Sequence, residues 1–587
     1  MKKIHGGEIV VRMLAAEGVE KVFGIIDGTY FGLYSNLKKH GIDLVTPRHE
    51  TSAAHMAGAY ARTTGRLGVC IASNGPGVAN VLPGVATENA EGNRVLLITS
   101  CRREGIAYPD RGGAYQYFNQ VAATRPMTKW SGAVPSRDRI GELMRRAFRL
   151  SFRGRPGVVH VDVPESILNG KDRFEARQLR PPERYRRTAV LEPAAGAVRQ
   201  AAEMLCAARR PMIHAGSGVV HAGASGELAR LAAILEAPVT TSWGGRAALA
   251  ETSPHAISMI HLDLVQRVRN DADLVLALGT RFGETDWWGK APYWAPAERQ
   301  RVIQVDVDEE ILGLNKPVDL AVLGDAKRFL ARLTDELGEH ALGIDAAARR
   351  QALAGYREEL RKSRAALDGK ARKGGAEGTV HPADVPILCQ EAFPDDTIWV
   401  FDGGNTAVWA NFYHQVRCPN ALLSTFKFGM LGAGISQAIG AKAAHPGRAV
   451  CCILGDGAMG FHLQEIETAV RARLPVVSVV VCDRQWGMVK MNQQFALKPV
   501  KTLIRRSLSE EETINADLGE IEFDRVARAM GAHGERVSER DDLAPALERC
   551  LAEDRPSVVH VDVDRVAHMW APGLLKFKAM HQEPGGK

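Results

Sequence analysis

Two aspartates each close an apolar run. ILGDGAMG carries Asp456 behind Ile453, Leu454 and Gly455, and VVVCDRQWG carries Asp483 behind a run of valines. A third run, TIWVFDGGNTAVW, ends at Asp402 and turns through Gly403, Gly404, Asn405 and Thr406. Runs of this type read as buried parallel strands, and ligands of open parallel sheets collect where such strands end. Carboxylates are hard oxygen ligands that suit Mg²⁺. Glycine turns let backbone N–H groups approach a phosphate, and a following helix N-terminus favours its charge. Together these residue types point to a metal-bridged diphosphate, with Asp456 and Asp483 on the metal and the glycines around the phosphates. A lone GDG is an ordinary turn; the spacing of the pair strengthens the reading.

That spacing, 24 residues between GDG and Cys482–Asp483, resembles the motif of thiamine-diphosphate (ThDP) enzymes, in which GDG is followed at this distance by an asparagine pair. Asp483 departs from the pattern but still offers an oxygen to Mg²⁺. The resemblance implies metal ligation by Asp456, Asp483 and the Gln485 carbonyl, and places Gly404, Asn405, Thr406, Gly457 and Ala458 along the diphosphate. TPRHETSAAHMAGAYAR, with Glu50 opening a helix, resembles the segment of the family's activating glutamate, and SNGPGVAN at 73–80 resembles the GPG loop that follows it. A carboxylate bonded to the pyrimidine ring favours the imino tautomer that takes the thiazolium C2 proton. In isolation, an acid at a helix start is simply a favourable charge on the dipole. FGMLGAGISQAIGA at 428–441 resembles the wedge segment. It implies Leu431 between the cofactor rings and the Gly429 carbonyl receiving the amino group, although a core leucine at a helix entry reads equally well.

The resemblance runs through nearly the whole chain, in the order of the acetolactate synthase, benzaldehyde lyase and 2-hydroxyacyl-CoA lyase group. It is most like a 2-hydroxyacyl-CoA lyase. The His-His pair of 2-oxo-acid decarboxylases is missing from RGGAYQYFNQVAATRPMTKW. Gln120 there resembles the benzaldehyde lyase glutamine, and Gln120, His49 and Asn492 are the candidates for orienting substrate. Asn492 and Gln493 stand where acyl-CoA lyases carry a glutamate shuttle. The implied activity is a ThDP- and Mg²⁺-dependent carbon–carbon lyase or carboligase that cleaves a 2-hydroxyacyl-CoA to formyl-CoA and an aldehyde or ketone. The alternative is an acetolactate synthase-like or sulfoacetaldehyde acetyltransferase-like enzyme. Arg281, Trp287, Trp288 and Lys290, with Lys576 and Lys578, are candidates for a CoA contact; an interface and a wet surface explain them as well. HAGSGVV at 214–220 is an incomplete dinucleotide fingerprint, so FAD is not expected. Because the cofactor's two ends are held by different subunits in this family, a homodimer or homotetramer is implied.

These residues need elements to hold them. RPGVVHVDVP at 155–164 and RPSVVHVDVD at 555–564 repeat one closing strand, which suggests two domains of one α/β fold. Three doubly wound parallel-sheet domains are expected. They are an N-terminal pyrimidine-binding domain at 1–182, a central domain at 190–342 and a diphosphate-binding domain at 381–565. A surface helix and linker at 343–380 and a tail at 566–587 complete the chain. The composition, 45% hydrophobic and 24% charged, is that of a globular protein. A net charge of +7 over 587 residues, without a basic block, argues against nucleic acid. No apolar run is long enough to span a membrane. Nine scattered cysteines without a CxxC read as reduced thiols in a cytoplasmic protein.

Overall fold

The computed structural model describes residues 3–107, 111–173, 179–340, 345–371 and 376–574. Three sheets, all parallel, organise the chain. Their inner strands are rich in apolar residues and buried on both faces, as helices on each side require, while edge strands such as Leu320–Leu323 and His533–Val537 are partly exposed. The N-terminal sheet runs, edge to edge, Asp43–Val45, Lys21–Gly24, Gly68–Ala72, Val95–Cys101, Val158–Pro164, Trp130–Ala133. The C-terminal sheet runs Leu422–Leu423, Ile398–Asp402, Val450–Gly455, Val477–Cys482, Ser557–Asp562, His533–Val537. The two orders match position for position, and the repeated VVHVDV strands fall at the same place in each. The central sheet has five strands, Val239–Thr241, Pro211–Ala215, Leu274–Leu278, Arg301–Asp306 and Leu320–Leu323. The three-domain α/β architecture expected above is therefore the one observed.

Eight helices matter below. They are α1 (Glu50–Thr64), α2 (Pro76–Glu91), α3 (Ala346–Ala371), α4 (Gly404–Tyr413), α5 (Ala433–Ala444), α6 (Asp456–His462), α7 (Gly487–Leu497) and α8 (Arg565–Met569). The outer sheets meet through α1 and α5, whose apolar faces share one core. Small residues set their distance: a Cβ on Gly440 would lie 2.3 Å from the Met56 carbonyl oxygen. On the other side of α1, a Cβ on Gly58 would overlap the Glu88 carboxylate of α2.

Helix α3 occupies the stretch read as a surface helix. It is docked on one face: Arg349 is buried and donates to the carbonyls of Leu205, Ala208 and Leu235, and Tyr356 packs into the central core. A half-wet helix with buried anchors resembles a solvated one in composition. Among the described residues, all nine cysteines are free thiols and no helix is long and apolar enough to cross a membrane.

Candidate functional site

The carboxyl ends of Ile398–Asp402, Val450–Gly455 and Val477–Cys482 are adjacent in one sheet, so Asp402, Asp456 and Asp483 come out side by side. Glycines let the turns behind them interlock. Gly403 has φ of 94°, and its Cβ would stand 3.2 Å from the Gly455 nitrogen. A Cβ on Gly457 would meet the Trp486 ring at 2.7 Å, and one on Gly487 would meet Asn405 Nδ2 at 2.8 Å and Asp483 Oδ2 at 3.2 Å. The start of α4, the start of α6 and the turn into α7 thus form one cradle. Gly404, Asn405 and Thr406 open α4, and Gly457 and Ala458 sit in the first turn of α6. Both helix starts aim backbone N–H groups and the positive dipole end at the same space.

Asp456 Oδ1 accepts from the Gly457 N–H and Oδ2 from the Arg484 N–H, each at 2.7 Å. The second bond ties the GDG turn to the residue after Asp483. Burial, and then the neighbouring Asp483 charge, push the Asp456 carboxyl up to about 6. Asp483 is 2% exposed. It accepts from Gln485 through both the backbone N–H and Nε2, and lies 2.6 Å from His568 Nδ1. A buried acid whose ionisation is disfavoured by a neighbouring carboxylate is what a divalent cation relieves. No cluster of three or more His, Cys, Asp or Glu side chains among the described residues is arranged for a metal. Two carboxylates, a backbone carbonyl and ligand oxygens would instead make a Mg²⁺-type set. The Asn405 Oδ1 atom is buried without a hydrogen-bond partner, and it faces the site from α4. The residues present therefore fit a diphosphate and its metal.

Asp402 binds no ligand in this arrangement but fastens the wedge segment. Its oxygens accept from the Gly403 N–H at 2.6 Å and the Gly434 N–H at 2.7 Å, and burial raises its carboxyl to about 6. The Gly434 bond caps the start of α5, just after Leu431 and Gly432. Gly432 takes φ of 87° with Phe461 against its α-carbon, and Gly429 takes φ of 70°. Leu431 is half-buried at this turn.

In the N-terminal domain, Glu50 is 9% exposed and accepts from Asn80 Nδ2 at 3.0 Å. Asn80 is the last residue of SNGPGVAN, so the glycine loop and the acid form one unit. A Cβ on Gly77 would lie 3.4 Å from Glu50 Oε1, which leaves the carboxylate close against the loop helix. His49 caps α1: its Nδ1 accepts from the Thr51 N–H at 3.2 Å, and its ring lies edge-on to His462 at 5.6 Å between centroids. Arg48 N–H donates to Glu465, joining this turn to the segment after α6.

Gln120 is a correction. It is 1% exposed. Its Nε2 donates to the Ser100 carbonyl and to Asp162 Oδ1, and its Oε1 accepts from the Gly75 N–H. Both amide hydrogens are spent on Ser100 and Asp162, the oxygen holds the glycine loop, and no hydrogen remains for a substrate. The backbone of a different glutamine lies against that loop. Gln116 holds the left-handed region at φ 53°, its side chain is exposed, and its carbonyl accepts from Asn74 beside Gly75. Its neighbour in type and sequence concealed it; the glycine pair at 112–113 before it was the available signal of a turn. Asn492 is exposed on α7, one turn beyond Met488, whose Cβ lies 3.3 Å from where a Gly404 Cβ would be. Gln493 is engaged with both backbone groups of Ile514.

A second cavity, of about 600 Å³, lies where the central domain meets the other two. Arg155, Arg281, Trp288 and Lys427 line it, and Gly429 reaches its edge. Trp287 is 4% exposed and stacks on Tyr293, and Lys290 does not line the cavity. Lys576 and Lys578 lie outside the described residues.

Comparison with known proteins bears on the same three domains. Residues 4–123 match the N-terminal TPP binding domain of the thiamine pyrophosphate enzymes, 198–333 their central domain and 402–561 their C-terminal TPP binding domain. The chain is 32% identical to the sulfoacetaldehyde acetyltransferase of Castellaniella defragrans, over 94% of this chain and 91% of the relative. It is 29% identical to acetolactate synthase isozyme 2 large subunit of Escherichia coli, over 97% of both. It is 28% identical to a probable acetolactate synthase large subunit of Methanocaldococcus jannaschii, over 96% of this chain and 92% of the relative. With the glycine cradle, the paired acids and the helix-starting glutamate each inside a matched domain, the chain belongs to the thiamine pyrophosphate enzymes, in the group that holds acetolactate synthases and sulfoacetaldehyde acetyltransferases.

Proposed function

We propose that the chain is a ThDP- and Mg²⁺-dependent acyl-transfer enzyme that takes a two-carbon unit from a small anionic donor, sulfoacetaldehyde or pyruvate. The observation that carries this is the 32% identity to a sulfoacetaldehyde acetyltransferase along 94% of the chain, joined to an α7 face that presents the neutral amide Asn492 where an acyl-CoA lyase carries an acid. ThDP, when bound, supplies a nucleophilic carbon and an electron sink for bond cleavage beside a carbonyl.

The chain's own residues do the rest. Glu50, held by Asn80, would hydrogen-bond the pyrimidine and favour its imino tautomer. Asp456, Asp483 and the Gln485 carbonyl hold the metal. N–H groups at the starts of α4 and α6 hold the diphosphate. Leu431 would pack against the bound cofactor and the Gly429 carbonyl would accept from its amino group. Asn492 and His49 face the reacting end and orient the donor, without an acid on α7 to protonate a released acyl fragment. The balanced outcomes would be acetyl phosphate and sulfite from sulfoacetaldehyde and phosphate, or acetolactate and CO₂ from two pyruvates. A dimer or a dimer of dimers would cover the large apolar side chains of Phe461 and Ile521, each more than 40% exposed, which line one cleft with Asp456.

A second reading, the 2-hydroxyacyl-CoA lyase, draws on the central cavity. Its aromatic and cationic walls have the chemistry of a nucleotide phosphate contact. Mass spectrometry of products from a small panel separates the two. Acetyl phosphate from sulfoacetaldehyde and phosphate, or acetolactate from pyruvate, is expected. Formyl-CoA and acetone from 2-hydroxyisobutyryl-CoA, with neither of the others, would reverse the order.

A further inference from the structure

Asp483 is the point at which this chain leaves its family's asparagine pattern, and the structure gives that acid a partner. His568, on α8 near the end of the described chain, is 3% exposed. Its Nδ1 lies 2.6 Å from Asp483 Oδ2, and its Nε2 lies 3.1 Å from Thr406 Oγ1. We propose that His568 is a positioning residue that leaves one oxygen of Asp483 for the metal and takes up the Thr406 hydroxyl, so that α8 sets the geometry of metal and diphosphate together. The proposal rests on the reading of Asp483 as a metal ligand.

The hydrogen bonds determine the assignment. A carboxylate oxygen only accepts, so Nδ1 carries the hydrogen, and Nε2 is left to pair with the Thr406 hydroxyl. Asp483 Oδ2 also receives Gln485 Nε2 at 3.1 Å. Oδ2 is therefore occupied twice, whereas Oδ1 meets only the Gln485 N–H at 3.3 Å. Oδ1 is the oxygen left for a cation. The Thr406 hydroxyl is likewise engaged with His568 Nε2, which leaves Thr406 its backbone N–H to offer a diphosphate.

Helix α8 cannot drift away from these contacts. Trp409 Nε1 donates to the His568 carbonyl at 2.8 Å, Gln485 Nε2 to the Arg565 carbonyl at 2.9 Å, and Asn405 Nδ2 to the Met569 carbonyl at 3.4 Å. Three side chains of the cradle thus land on the carbonyls of one short helix, groups the helix itself cannot satisfy. The departure from asparagine follows. An amide has a single acceptor oxygen, and metal and histidine would compete for it. A carboxylate has two and serves both. Partners that orient a metal ligand are worth about 10–100-fold in metal affinity.

The test is Mn²⁺ affinity of the full apo chain in the presence of ThDP, read as free Mn²⁺ by electron paramagnetic resonance. Thermal unfolding of each apo variant reports folding. His568→Ala is expected to weaken Mn²⁺ by about 10–100-fold. His568→Asn places an amide N–H where Nδ1 stands and is expected to recover most of the loss. His568→Gln reaches toward the Nε2 side and is expected not to. In an Asp483→Asn background, His568→Ala is expected to change Mn²⁺ affinity little. Wild-type affinity in His568→Ala, an equal loss in the Asp483→Asn background, or equal rescue by Asn and Gln would overturn the proposal. The Asn–Gln comparison decides even if the alanine variant folds poorly. An Asp483→Ala chain that keeps Mn²⁺ would instead sink the metal-ligand reading beneath it, and the proposal with it.

Discussion

At the scale of single residues, the site is built from side chains whose hydrogen bonds are almost fully assigned before any ligand arrives. Glu50 holds one bond from Asn80 and keeps an oxygen for the pyrimidine. Glu50→Gln preserves shape but cannot drive the tautomer. The variant is expected to retain ThDP while turnover falls by about 10²–10⁴-fold, measured as product formed per bound cofactor; normal turnover would remove Glu50 from the mechanism. Asp402 gives a pH signature. Burial raises its carboxyl to about 6, so the folded chain holds that proton more tightly than the unfolded chain. Stability from this group falls as pH rises from the ordinary carboxylate range to about 6, and the cost is complete above it. Asp402→Asn removes the titration. Its unfolding temperature, relative to wild type, is expected to improve between about pH 5 and about pH 7, and a pH-independent difference would argue that Asp402 ionises freely in the fold. The placement of Asp456 and Asp483 at adjacent strand ends, and of Glu50 at a helix start, was legible in the sequence because each closes an element whose apolar run or turn marks its end. The roles of His568 and Asp402 were not, because each acts across a fold: His568 on a residue 85 positions earlier, Asp402 on a helix start 32 positions later. Gln120 shows the opposite failure. Its residue type was readable, but whether an amide's hydrogens are already spent is a property of packing.

At the scale of elements, the close passage of α1 over α5 holds the glutamate-bearing helix on the C-terminal domain. Gly440 permits it by leaving 2.3 Å between its missing Cβ and the Met56 carbonyl oxygen. On propensity alone alanine would stabilise a helix interior by about 1 kcal/mol. Here the overlap opposes that gain, and Gly440→Ala is expected to destabilise the chain by about 1–3 kcal/mol in urea unfolding. A stabilised variant would mean that the two helices do not cross as closely as described. Strands were the most readable elements. The two VVHVDV runs are doubly buried, and composition alone announces that environment. Helix α3 was less so, since Arg349 and Tyr356 read as surface residues until their carbonyl and carboxylate partners in the central domain are seen.

At the scale of the molecule, the chain carries two sheets of identical strand order with a third between them in sequence. Each outer sheet offers one half of a cofactor site, Glu50 on one and the acid pair on the other. We propose that a coenzyme is shared between the Glu50 of one subunit and the Asp456–Asp483 pair of its partner. The most direct measurement is the activity of a purified heterodimer in which one chain carries Glu50→Gln and the other Asp483→Ala. Shared sites put both lesions into one of the two sites and leave the other whole, so about half of wild-type activity is expected, against almost none for either mutant homodimer. A heterodimer as inactive as its parents, with subunit exchange and ThDP binding verified, would contradict the shared site.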